Sequence, residues 1–219
     1  MNQSLRKIKE LNIDVITRTA GKYDIPVMQA VDYVPKKLVG FNQVTNKSGF
    51  DGCVHFFIDD FKFLNVWRNL HRQTDRLLKY KGCFSPDFSL YTNYPLATQI
   101  YNVYRNMTIG QYFQRSGLIC VPTASWSDER SYEFCFDGLP EESTIAISTV
   151  GVRGKGRENE ESVRLFRKGV EKLIEVKHPT RLLIYGKGID ADYGTTELIY
   201  YENTNTVAFN QGIRVGVDV

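Results

Sequence analysis

The feature that most constrains this chain is a rhythm of short apolar runs. Each run ends in polar or acidic residues, and most are followed by a helix-like stretch. Residues 54–58 run into Asp59-Asp60, residues 83–84 into Ser85-Pro86-Asp87, and residues 118–121 into Pro122-Thr123-Ala124-Ser125-Trp126-Ser127-Asp128-Glu129. Residues 144–147 precede Ser148-Thr149-Val150-Gly151, and residues 182–185 precede Gly186-Lys187. As parallel strands these runs have C-terminal ends on one rim. Ligand sites of parallel α/β folds sit at that rim. The rhythm therefore says where function is to be sought before it says what the function is.

The intervening text reads as helices. Asp60 or a neighbour opens one over residues 62–79, with Phe63, Trp67, Leu70, Leu77 and Leu78 on one face. Asn93 and Pro95 start a second, with Leu96, Ile100, Val103, Tyr104, Met107 and Phe113 inward and Gly117 at its end. Ser125 and Asp128 resemble a capping box for a short helix through Phe136. Glu160–Lys177 is the last strong helix, with Val163, Phe166, Val170 and Leu173 inward, stopped by His178-Pro179. Strand–helix–strand units cross over right-handed and give a parallel sheet. With 219 residues the chain is short for a standard eight-unit barrel of about 250. The expectation is a single α/β domain with a mostly parallel sheet in a partial or open TIM-barrel-like arrangement. A doubly wound open sheet is the rival.

Within that domain, residues 1–36 read as a peripheral N-terminal segment and residues 37–190 as the α/β body. Residues 5–11 read as a short helix, residues 22–34 as extended chain and turn, and residues 46–49 as a loop. Residues 191–219 read as a C-terminal hairpin or edge addition, with residues 198–201 and 207–209 flanking a turn.

Composition narrows the classes. A hydrophobic fraction of 42% with 24% charged residues is ordinary for a globular chain. A net charge of +3 is too small to imply nucleic acid by itself. No apolar run approaches the ~20 residues that span a bilayer, and the N-terminus lacks an apolar signal core. No membrane is expected, and the reading is cytoplasmic. Cys53, Cys83, Cys120 and Cys135 form no CxxC pair and read as reduced, buried thiols. His55, His71 and His178 have no partner at metal or triad spacing.

Asp59, Asp60, Asp87, Asp128 and Glu129 all adjoin strand ends. Carboxylates that converge there repel, so one pKa rises or a cation enters. The first outcome makes a proton donor. The second makes an oxygen site for Mg²⁺, with Asp59, Asp87 and Asp128 as the ligands. Against this stands helix capping, which accounts for Asp60 and Asp128 without any chemistry. Trp126 and Tyr91 are candidates to stack on a sugar or base, and Arg130 to grip a phosphate or carboxylate. Arg153 lies in the basic, glycine-rich loop 151–157, which matches neither phosphate-binding motif but offers N–H groups and charge. Lys187 after Gly186 is a similar candidate. A basic run from Arg68 to Lys81 reads either as a nucleic-acid face or as a solvated one.

Four blocks together resemble a known family. They are His55-Phe56-Phe57-Ile58-Asp59-Asp60, then Ser85-Pro86-Asp87-Phe88-Ser89-Leu90-Tyr91 running into Pro95, Gln99, Asn102 and Arg105. The third is Pro122-Thr123-Ala124-Ser125-Trp126-Ser127-Asp128-Glu129-Arg130-Ser131 with Phe134-Cys135-Phe136-Asp137-Gly138. The fourth is Ser148-Thr149-Val150-Gly151. They resemble an uncharacterised phage and bacterial family known as domain of unknown function 4417, over residues 38–187. The tail after Asp190 falls outside that resemblance. It implies a phage or mobile-element setting, hence the host-cell cytoplasm, and transfers no catalytic role.

Two functions are expected on these grounds. One is an enzyme acting on a nucleotide or nucleic acid by hydrolysis or glycosyl transfer. The other is a non-catalytic binder that sequesters a nucleotide, docks on DNA or blocks a host defence protein. A structural or assembly role in the phage is a third, plainer option.

Overall fold

The computed structural model describes residues 10–45, 50–152 and 160–203. Nine strands are present among them. β1 (Thr19–Ala20) and β2 (Ile25–Pro26) form a small antiparallel pair. β3 (Leu38–Gly40), β4 (Cys53–His55), β5 (Gly82–Phe84) and β6 (Cys120–Val121) form a parallel sheet in that order. β7 (Thr144–Ser148), β8 (Arg181–Tyr185) and β9 (Glu197–Tyr201) form a second parallel sheet. The chain beyond β6 joins the two. Thr123 bridges Ala146 in parallel, Ala124 N donates to Ala146 O at 2.9 Å, and Ala146 N donates to Pro122 O at 2.8 Å.

The fold is thus mixed α/β with mostly parallel strands, which run in sequence order from β3 to β9. No closed barrel forms among the described residues: β3 and β9 are edges with no ladder between them. Strand residues alternate between two apolar layers. Leu38, Cys53, Phe84, Val121, Ala146, Leu183 and Tyr185 share one cluster with Phe57. Val54, Cys83, Cys120, Ile145, Ile147, Leu182 and Ile184 face the other way, into the larger core with the helices. Burial on both faces is why the strands read as continuous apolar runs rather than alternating ones.

The helices depart from expectation in two places. The helix expected over residues 62–79 is two, α1 (Leu64–Arg68) and α2 (Leu70–Leu77), preceded by a 3₁₀ turn at Asp60–Lys62. Asn69 breaks it at φ −133°, ψ 50°. The Trp67 carbonyl, which His71 N–H would take in a continuous helix, instead accepts from the Asn12 side chain at 2.9 Å. The helix expected from Ser125 is a 3₁₀ turn, Glu129–Glu133. Asp128 caps it, accepting from Arg130 N, so the capping-box reading of Ser125 is corrected. Two helices are as read. α3 (Leu96–Arg115) ends before Gly117 at φ +89°, and α4 (Glu160–Lys177) buries Val163, Phe166, Val170 and Leu173.

At the C-terminus, β9 runs parallel to β8 in full five-residue register. Among the described residues it forms the edge of the second sheet. The expected strand at 207–209, the loop at 46–49 and most of the helix at 5–11 lie outside the described residues.

At the other end of the chain a strap, residues 17–30, crosses α3 and buries Ile25 and Met28. Gln111 of α3 holds it with every donor and acceptor it has. Its Oε1 accepts from Thr17 N (2.9 Å) and Oγ1 (3.2 Å), and its Nε2 donates to Arg18 O and Val27 O, both at 2.8 Å. Gln111→Ala strands those backbone groups and costs about 1–3 kcal/mol. A urea titration reads this as a lower midpoint, with hydrogen exchange at Thr17 accelerating first.

Candidate functional site

A cleft of about 310 Å³ opens where β5, β6 and β7 end. Its wall includes Asp87, Ser89, Tyr91, Ser125, Trp126 and Ser148. The strand ends behind it are clamped reciprocally. Thr123 N donates to Ser85 Oγ and Thr123 Oγ1 donates to Ser85 O, both at 2.8 Å. Asp87 stands two residues beyond that clamp.

Among the five candidate acids, Asp87 is the one whose environment is unusual for a surface carboxylate. Its Oδ1 is buried with no hydrogen-bond partner. Burial pushes its pKa up to about 7; a hydrogen bond from Ser125 opposes the rise and the charge of Asp60 adds to it. Asp60 sits one layer back. Its carboxylate accepts from Ser89 N at 3.1 Å and from Ser89 Oγ at 2.9 Å. It does not cap the 3₁₀ turn that it opens, because Ser89 occupies its carboxylate.

Sequence reading missed what holds this segment. α3 turns a buried amide stripe, Gln99, Asn102 and Asn106, toward the chain after β5. Asn106 pairs with Phe88, its Oδ1 accepting from Phe88 N (2.8 Å) and its Nδ2 donating to Phe88 O (3.3 Å). Asn102 Nδ2 donates to Ser89 O at 2.7 Å. Gln99 Nε2 donates to Tyr94 O at 3.0 Å, while its Oε1 accepts from Ser127 Oγ at 2.6 Å. The i, i+3, i+7 spacing of three amides on one helical face was the available signal. Arg105 completes the support. Its guanidinium lies 3.6 Å from the Phe88 ring centre and donates to Asn102 Oδ1. Burial lowers its pKa, against the raising influence of Tyr101 and Asp60.

The other candidates are placed as follows. Tyr91 is 53% exposed at the lip, edge-on to Tyr94. Trp126 lines the cleft with part of its ring while packing on Phe166 and Phe136, and its Nε1 donates to Leu165 O at 3.2 Å. Asp128 and Arg130 form a bidentate pair, Nε to Oδ1 at 3.1 Å and NH2 to Oδ2 at 2.7 Å. The side-chain bond from Arg130 holds Asp128 below the usual carboxylate range, against burial. Arg130 also donates to Thr92 O at 3.2 Å, which ties the pair to the lip. Glu129 is exposed and paired with Lys168 of α4 at 2.5 Å. Asp59 is exposed and paired with Lys62 at 2.9 Å. Lys187 is exposed beyond β8, and Arg153 lies outside the described residues. Asp87 alone of the five acids lines the cleft. Among the described residues no group of three or more His, Cys, Asp or Glu is arranged to hold a metal ion.

The model of a domain of unknown function, DUF4417, matches residues 17–202. The chain belongs to this family. The match reaches beyond residues 38–187 at both ends and takes in the strap and β9. Similar proteins include the Gene 1 proteins of Mycobacterium phage L5 and Mycobacterium phage D29, 38% and 36% identical over 186 residues. Those alignments cover 83% of this chain and, respectively, 79% and 67% of the relatives. They agree with the phage setting. No solved structure matches the chain significantly. No helix of the described residues is long and apolar enough to cross a membrane.

Two measurements check this site. A Cβ on Gly169 would stand 2.0 Å from Trp126 Nε1. Gly169→Ala therefore displaces the indole from the cleft wall, costs on the order of 2 kcal/mol, and shifts tryptophan emission. The second is stability against pH. A folded pKa of about 7 against an ordinary 3.8 means the native state alone holds the proton between those values. Stability conferred by Asp87 is full below about pH 4 and is lost as pH rises through about 7, a fall of about 4 kcal/mol. Asp87→Asn removes that slope, and chemical denaturation at pH 4 and pH 8 measures it.

Proposed function

We propose that the protein is a phage enzyme acting on a nucleotide or nucleic acid, by breaking or transferring a glycosidic bond at the strand-end cleft. The observation that carries this reading is Asp87, a carboxyl with a buried, unpartnered Oδ1 and a pKa near 7 in the wall of the cleft. A carboxyl poised near neutral pH serves as a general acid. It would protonate the leaving base or sugar oxygen as the glycosidic bond breaks, while water or an acceptor hydroxyl bonds to the anomeric carbon and releases its own proton to solvent.

Glycosyl chemistry is preferred to phosphoryl hydrolysis on electrostatic grounds. Asp60 lends the cleft negative potential, which favours an oxocarbenium-like transition state. The same potential opposes an anionic phosphoryl group, and the cleft wall offers no Lys or Arg among the described residues. Ser89, Ser125, Ser127 and Ser148 supply hydroxyls that suit a sugar. Tyr91 and Trp126 would bear on the base, with Arg130 beside the lip for a flanking phosphate. On this reading the strands from β3 to β9 make a partial, open barrel within one α/β domain that works in the host-cell cytoplasm. Their sequential order, their shared inner cluster and the bond from Tyr201 Oη to Pro35 O at 2.7 Å support it.

A second reading, a non-catalytic binder of a host protein, draws on one observation. Phe61 is 74% exposed, and Tyr91, Tyr94, Leu96 and Tyr101 are also exposed on the chain around the start of α3. Such an apolar surface suits a partner.

Nucleosides, nucleotides and single-stranded oligonucleotides incubated with the protein and followed by chromatography separate the two. The enzyme reading expects release of free base, falling by about 10²–10⁴-fold in Asp87→Asn with binding retained, and a rate governed by a group titrating near pH 7. Absence of base release from the whole panel in the parent protein would overturn it.

A further inference from the structure

The lip of the cleft carries more than one nucleotide can use. At about 310 Å³ the cleft is at the small end of ligand pockets and has room for one nucleoside, not a run of them. Yet residues 91–98 are all exposed, and the first four bring two tyrosines to its edge. Tyr91 and Thr92 belong to the cleft wall, while Tyr94 stands outside it. Tyr94 is 37% exposed, with its ring centre 5.0 Å from that of Tyr91 and the planes crossed at 74°.

This lip is held in place from behind. Tyr94 N donates to Tyr91 O at 3.0 Å, which closes a turn, and the Tyr94 carbonyl accepts from buried Gln99 at 3.0 Å. Arg130 is fixed on the same turn. Its bonds to Asp128 and to Thr92 O use Nε and NH2. Its NH1 has no partner among the described residues, and the side chain is exposed. A fixed aromatic pair beside a fixed, unspent guanidinium nitrogen is what stacking on a base and bonding to the adjoining phosphate require. Net charge contributes little here, because Asp128 neutralises Arg130 and the whole chain carries only +3.

We propose, on the footing that the cleft is a nucleotide site, that its substrate is single-stranded nucleic acid. One nucleotide turns into the cleft, its neighbour stacks on Tyr94, and Arg130 bonds the phosphate between them. Only a neighbouring residue of the same strand reaches Tyr94 when the cleft is filled, so the substrate is a polymer. An intact duplex does not fit. Asp87 is part of the cleft wall, and a base that is paired and stacked on both sides cannot be brought to it. The continuity of the tyrosines with the cleft wall, and the arginine beside them, favour a nucleic acid over a protein at this lip.

Fluorescence anisotropy of the full chain with short end-labelled DNA and RNA strands, competed with mononucleotides and with duplex, tests this. A single strand of one or both sugar types is expected to bind about tenfold tighter, or more, than the mononucleotide or the duplex. The two arms tell which sugar is preferred. Tyr94→Ala weakens the strand by about tenfold and leaves the mononucleotide as it was. Tyr94→Phe restores the strand, since the ring stacks and the hydroxyl does not. The salt dependence is shallow, with a log–log slope of about −0.7 for one phosphate on a single strand, and Arg130→Gln flattens it. Melting curves check that the variants are folded; if Tyr94→Ala is not, Tyr94→Gln removes the ring while keeping a long side chain. Three results would overturn the proposal: mononucleotide or duplex binding as tightly as the strand, a steep salt slope that Arg130→Gln leaves unchanged, or strand affinity unaltered in Tyr94→Ala, which returns the lip to a protein partner. Strand binding without base release sinks only the enzyme reading, and base release without a preference for strands sinks only this one.

Discussion

Helix α3 buries four amide side chains, Gln99, Asn102, Asn106 and Gln111, in a layer otherwise built from Val103, Met107, Ile109 and Phe113. An amide left unpaired in such a layer costs more than it returns, so each must find backbone partners. The partners come from chain outside the two parallel sheets. At the N-terminal end of the helix they are Phe88, Ser89 and Tyr94. At the C-terminal end they are Thr17, Arg18 and Val27. One helix thereby holds the segment that carries Asp87 and, one long face away, the strap.

The acids around the rim divide according to what each can reach. Asp59, Asp128 and Glu129 find cations in Lys62, Arg130 and Lys168 and stay at the surface. Asp60 finds Ser89. Asp87 follows Pro86 into a position where only Ser125 reaches one of its oxygens. A group in that position keeps its proton near neutral pH because burial keeps water, its usual partner, from Oδ1. The difference between five similar aspartate and glutamate letters is therefore a difference in packing.

Parts of this were legible from the letters. The runs at residues 83–84, 144–147 and 182–185 mark strands because burial on both faces leaves no polar alternation. Glu160–Lys177 marks a helix because one face is apolar at regular spacing. The break at Asn69 was not legible, since Asn12 competes for the Trp67 carbonyl from 55 residues away. The amide stripe of α3 was in plain view as a spacing but its burial was not legible, since amides are buried only where distant backbone awaits them. The strap read as peripheral for the same reason.

By itself the sequence determined the alternation of strand and helix, the parallel direction of the strands, and so the rim on which polar residues gather. These follow from local periodicity and from the handedness of crossover connections, which act over a few tens of residues. Tertiary structure alone decided which rim residues face a shared space and which acid has an oxygen buried from water. Those outcomes depend on distances between segments far apart in the chain, and solvent exclusion is a property of the assembled packing that no single stretch of letters contains.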